Sequence, residues 1–66
     1  MSVLKVIEVL SCSNKSWEDA AKNGVVEANK TLKGIKSAWV KDQSLTVKDG
    51  NINEYRVTLK VSFEIE

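Results

Sequence analysis

A chain of 66 residues sets a ceiling of one domain, read here as residues 1–66, and one this short buries only about 60% of the surface it exposes when unfolded, so its core needs reinforcement. Ten Lys and Arg against nine Asp and Glu leave a net charge of +1, which gives no electrostatic ground for a nucleic-acid or membrane-surface partner. Cys12, the only cysteine, excludes an intrachain disulfide; with no histidine there is no zinc-ligand set either, and association with other chains is the reinforcement that remains.

The first segment, Val3 to Leu10, is rich in Val, Ile and Leu and too short for a helix, so a strand is expected. No basic segment leads into a long apolar run here, and nothing in the chain approaches the ~20 apolar residues of a membrane span. With an unpaired cysteine, that composition points to a reducing, cytoplasmic setting. Residues 11–15 read as a polar connection, within which Cys12 is expected to be an inert small residue because no histidine is present to activate it.

A helix is expected from Ser16. Ser16 and Asp19 form a capping-box-like Ser-x-x-Asp, and Glu18 adds negative charge where the helix dipole favours it. Trp17, Ala20, Ala21, Gly24, Val25, Ala28 and Leu32 recur at helical spacing and form one face of mostly small residues, suited to close packing on a sheet. Lys30 and Lys33 fall in the last turn, and Gly34 is expected to supply a left-handed C-terminal cap.

Two strands come next, roughly Ile35–Lys48 and Asn53–Glu66, joined by Lys48-Asp49-Gly50-Asn51, a strong turn signal. The last strand alternates strictly: Tyr55, Val57, Leu59, Val61, Phe63 and Ile65 on one side, Glu54, Arg56, Thr58, Lys60, Ser62 and Glu64 on the other. The hairpin makes these strands antiparallel, and the first strand is expected to pair beside the last. The fold class is therefore α+β: βαββ, a three-stranded antiparallel sheet wrapped around one helix. One helix covers such a sheet only in part, which leaves surface for neighbouring subunits.

No catalytic machinery is legible. General acid–base chemistry near neutral pH favours histidine, which is absent, and no Ser-His-Asp set, P-loop or dinucleotide fingerprint occurs. A binding protein without turnover is expected.

The element order and four strings resemble the dodecin family: Lys5-Val6-Ile7-Glu8-Val9, Ser16-Trp17-Glu18-Asp19-Ala20-Ala21, Val40-Lys41-Asp42-Gln43, and the run from Tyr55 to Phe63. The resemblance covers nearly the whole chain. It implies a hollow homododecamer of cubic (tetrahedral) symmetry that stores or sequesters flavins such as riboflavin, FMN or lumichrome, stacked in pairs near subunit interfaces, with coenzyme A as a further ligand of some bacterial members. In the family, a tryptophan early in the second strand stacks on the flavin ring, and a glutamine after the tyrosine of the third strand holds its polar edge. Ser37 and Arg56 stand at those two positions here, while Gln43 is retained.

Trp39 lies two residues beyond Ser37, on the same face of a regular strand. It is either a relocated stacking platform or an aromatic filling an interface, and Arg56 either meets the ligand or pairs with a carboxylate such as Glu54 or Glu64. Trp17 reads as packing. The cofactor candidates are thus Trp39, Ser37, Arg56 and Gln43, for FMN or riboflavin. The Ser-Trp-Glu and Tyr-Arg strings also look like a subgroup described as calcium-binding. That alternative has no contiguous calcium loop to support it, and takes Asp42, Glu64 and Glu66 as carboxylates gathered across a symmetry axis.

Overall fold

The computed structural model describes residues 3–65. Strand β1 (Leu4–Ser13), helix α1 (Trp17–Thr31), strand β2 (Ile35–Lys48) and strand β3 (Asn51–Glu64) come in that order. The sheet is antiparallel with spatial order β1-β3-β2, so the last strand is the central one, as expected.

β1 runs three residues further than its apolar pattern indicated. Ser11, Cys12 and Ser13 continue the ladder opposite Val57, Arg56 and Tyr55. Their small polar side chains are tolerated because they sit beneath the helix start: Ser13, buried, donates to Asp19 Oδ2 at 2.7 Å and accepts from Lys15 N–H at 2.9 Å. The helix begins as its sequence indicated, with Ser16 Oγ accepting from Asp19 N–H at 2.9 Å. Its end differs. Leu32, in extended conformation, is the C-cap and donates to the Ala28 carbonyl; Gly34 is left-handed (φ 74°) two residues beyond, where it leads into β2 and its carbonyl accepts from Glu64 N–H.

Ala20, Gly24 and Ala28 form a buried ridge on α1 that lies on β1 and β3. The ridge meets Val57, Leu59 and Val61 of the central strand, all at most 2% exposed, with Ile7, Val9, Trp17, Ala21, Val25 and Ile35 packed around them. Close approach explains Gly24. A Cβ there would stand 2.7 Å from Leu59 Cδ1 and 3.1 Å from Ser11 Cβ, nearer than atoms can come without movement.

The helix barely touches β2. Beyond the Ser13–Tyr55 pair, β2 and β3 continue as a bare two-stranded ribbon to Asp49-Gly50, both with positive φ (53° and 77°), the pattern of a type I′ turn. β3 consequently starts at Asn51 and not Asn53. At the ribbon's root, Trp17 donates its indole N–H to the Ser44 carbonyl at 3.0 Å and meets Tyr55 edge-on, with ring centroids 5.3 Å apart. This is the packing role expected of it. The chain measures 50 × 19 × 14 Å.

Candidate functional site

Residues directly opposite one another in an antiparallel pair share a face, so the register sorts every side chain. Val61, Leu59 and Val57 of β3 face the helix, and their partners Ala38, Val40 and Gln43 in β2 lie on that side. The other face carries four cross-strand rows. Val6, Ser62 and Ser37 form the first; Glu8, Lys60 and Trp39 the second; Leu10, Thr58 and Asp42 the third; Cys12, Arg56 and Ser44 the fourth.

Three of the four cofactor candidates therefore share this outer face: Ser37, Trp39 and Arg56. Gln43 does not. The register shifts between Val40 and Asp42, where Lys41 is the extra residue of a bulge, and the shift turns Gln43 to the helix side opposite Val57. Regular alternation from Trp39 would have kept it beside the others.

The three differ in how far they are engaged. Ser37 Oγ bonds Ser62 Oγ at 2.6 Å, and Ser62, only 4% exposed, also donates to the Ser37 carbonyl. Arg56 donates to Glu54 Oε1 from Nη2 at 3.3 Å and from Nε at 3.4 Å, and Thr46 donates to the same oxygen. Pairing with Glu54 is one of the two roles its position allowed. Trp39 is 47% exposed, an indole presented in the open on the outer face. Around it, Glu8 and Lys41 bridge across the sheet at 3.3 Å, while Lys60, half-buried between Trp39 and Glu8, makes no ion pair among the described residues. Neither Glu8 nor Lys60 stands out as a site residue in the sequence. The alternation of β3 held the signal, since it puts Lys60 on the polar side, but pairing it with Trp39 requires the bulged register.

The carboxylates of the metal alternative do not converge within one chain. Asp42 lies opposite Thr58, whereas Glu64 is six residues further along β3, about 20 Å away in a strand, and reaches Lys36 at 3.6 Å. Glu66 lies outside the described residues. Among those described, no group of three or more His, Cys, Asp or Glu is placed to hold a metal ion, and no helix is long and apolar enough to cross a membrane.

A further property of this face is its apolar fringe. Leu4, Val6 and Leu10 of β1 are 48%, 47% and 60% exposed. On the ribbon, Leu45, Val47 and Ile52 are likewise exposed.

The chain is similar to proteins of one kind throughout. The calcium dodecin of Mycobacterium tuberculosis is 38% identical over 65 residues, spanning 98% of this chain and 92% of that protein. The dodecin of Thermus thermophilus is 31% identical over 64 residues, 97% of this chain and 93% of that one. Among solved structures, the calcium-chelating calcium dodecin of M. tuberculosis, with its calcium-binding site, superposes with a TM-score of 0.87 at 39% identity, covering 98% of this chain and 93% of that one. The dodecin of Streptomyces davaonensis superposes at 0.94 with 26% identity, covering 98% and 96%. The family model for dodecin matches residues 3–66, and with that span and these relatives the chain belongs to the dodecin family.

Proposed function

We propose that this chain is a non-enzymatic binding and storage protein that works as a homododecamer, each protomer acting as one domain, in the cytoplasm. Its ligand is a flavin (riboflavin or FMN) stacked on Trp39 near a subunit interface. The observation that carries the reading is the half-exposed indole of Trp39 on the sheet face away from the helix. An open aromatic plane stacks favourably on another planar ring. The fit is of the ring and not of the family's usual edge contacts: Ser37 is bonded to Ser62, Arg56 is held by Glu54, and Gln43 faces the helix side. Assembly draws support from the exposed apolar residues of β1 and of the ribbon, which water covers at a cost that a second copy removes.

The experiment is a titration of riboflavin into the native assembly, read by flavin fluorescence, with native mass spectrometry of the same sample. Quenching that disappears in Trp39→Ala, on a particle of twelve subunits, is the expected result. Unchanged fluorescence at saturating flavin overturns the flavin reading, and a monomeric mass at micromolar concentration overturns the assembly.

Calcium is the second reading, favoured by the 38% identity to the calcium dodecin of M. tuberculosis. Asp42, Glu64 and Glu66 then act only where several subunits bring copies together. Thermal unfolding with calcium and with EDTA decides it: a raised midpoint with calcium is expected, and equal midpoints exclude it.

A further inference from the structure

We propose that Asn23-Gly24, in the middle of α1, is a self-modification site that the folded helix keeps shut: a chain whose helix opens loses the Asn23 amide and cannot rebuild the helix–sheet contact. The chemistry is that of an asparagine followed by a glycine. The Gly24 backbone nitrogen attacks the Asn23 side-chain carbonyl carbon, the new C–N bond closes a five-membered imide, and the amide nitrogen leaves as ammonia. Water then opens the imide on one side or the other, giving aspartate or isoaspartate. Glycine favours ring closure because no side chain hinders its nitrogen. Asn14, Asn29, Asn51 and Asn53 precede Lys15, Lys30, Ile52 and Glu54, whose side chains do hinder it.

The fold makes the helix the gate. The α-helical ladder commits the Gly24 N–H to the Ala20 carbonyl and holds it away from its neighbour's side chain. Gly24 is also buried in a place too tight for its backbone to swing, with Leu59 Cδ1 and Ser11 Cβ only 2.7 and 3.1 Å from where a Cβ would stand. Asn23 is exposed, and its Nδ2 donates to Asp19 Oδ2 at 3.3 Å. Water is at hand, since a groove of about 530 Å³ between α1 and β1 is lined by both residues of the pair. Local opening of the helix is therefore the step that starts the reaction.

The products bar the way back, so that opening becomes irreversible through chemical modification. Aspartate at position 23 turns the donor to Asp19 into a second carboxylate four residues on, where like charges repel. Asp19 also accepts from the Ser13 hydroxyl at 2.7 Å, which carries the disturbance to the end of β1. Isoaspartate inserts a main-chain carbon directly before Gly24 and throws the ridge of Ala20, Gly24 and Ala28 out of line.

The test follows the Asn23 amide by peptide mapping and mass spectrometry at mildly alkaline pH, in the native protein and in saturating urea. Loss in the native protein is expected to be at least about tenfold slower than in urea, because only open helices react. Glu27→Gly, exposed in mid-helix, should speed the native loss about fivefold by weakening the helix without touching the pair. Asn23→Gln, whose longer side chain disfavours the ring, abolishes the loss in urea. Asn23→Asp, the reaction product, lowers the urea midpoint below that of Asn23→Gln. Equal rates in native and unfolded protein, or a native rate unmoved by Glu27→Gly, overturns the gate. An Asn23→Asp chain as stable as Asn23→Gln, with isoaspartate chains that regain the native circular-dichroism signal, overturns the barrier to return.

Discussion

At the scale of single residues, the helix start and the helix–sheet contact are the most sensitive points. Asp19 accepts from the Ser13 hydroxyl and from Asn23, and faces Lys15 and Lys22; these interactions hold its carboxyl below the usual range, against an opposing push from burial. A depressed folded-state pKa means stability that is present above the unfolded value, near 3.8, and lost as pH falls through the folded value. Urea midpoints of wild type and Asp19→Asn should therefore differ more at pH 7 than at pH 2.5; a constant difference contradicts the linkage. Gly24→Ala is a second case. Alanine gains about 1 kcal/mol in helix propensity, but its methyl enters the space of Leu59 and Ser11, and overpacking costs about 1–3 kcal/mol. A net loss of about 1 kcal/mol in denaturant unfolding is expected, whereas a stabilised variant would show that Leu59 yields freely.

Among the elements, α1 and β3 were the most legible, because α1 keeps one period throughout and β3 keeps one from Glu54 onward. The small-residue face of α1 lands on the strand face that alternation had marked as apolar, with Val57, Leu59 and Val61 beneath Ala20, Gly24 and Ala28. β2 was the least legible. Three register shifts interrupt its pairing with β3: Lys36 and Lys41 are extra residues in β2, each reversing the facing of the residues beyond it, while at the third, between Thr46 and Val47, the extra residue is Asn53 of β3. That is why Trp39 and Arg56 fell on the expected face while Gln43 did not. Bulges also suit an edge strand, since they twist a row of unpaired backbone groups away from stray partners. The turn closing the hairpin is more easily read and more easily broken. Gly50 has φ 77° and open space where a Cβ would stand, so Gly50→Val tests the backbone conformation and not packing. It should cost about 1–2 kcal/mol in stability without altering the sheet signal in circular dichroism.

For the whole molecule, shape is the telling quantity. A compact chain of this length has a radius of gyration of about 11 Å, against 13.5 Å here. The excess is the ribbon beyond Tyr55, and a two-stranded ribbon alone is marginal in water. Leu45, Val47 and Ile52 on it are apolar and open to solvent. The double variant Val47→Asp, Ile52→Asp is expected to lower the mass seen by light scattering and to make the unfolding midpoint fall on dilution. An unchanged mass would place the contacts between subunits elsewhere. Length and cysteine count led to the expectation of partners but pointed to no surface for them: residues such as Val47 become conspicuous only once the ribbon is seen to outrun both β1 and the helix.

The placement of β3 at the centre of the sheet has a temporal side. β1 and β2 do not pair with each other; each is paired only to β3, the last of the four elements to leave the ribosome. Leu4 waits for Glu64, sixty positions later, before its own rung of the ladder can form. The nascent chain thus holds two unpaired strands and a short helix without a floor until residue 51 onward has emerged, and loop closure on that scale is slow. A sheet built this way forms late and all at once. A chain stopped anywhere before Asn51 is left with no sheet at all.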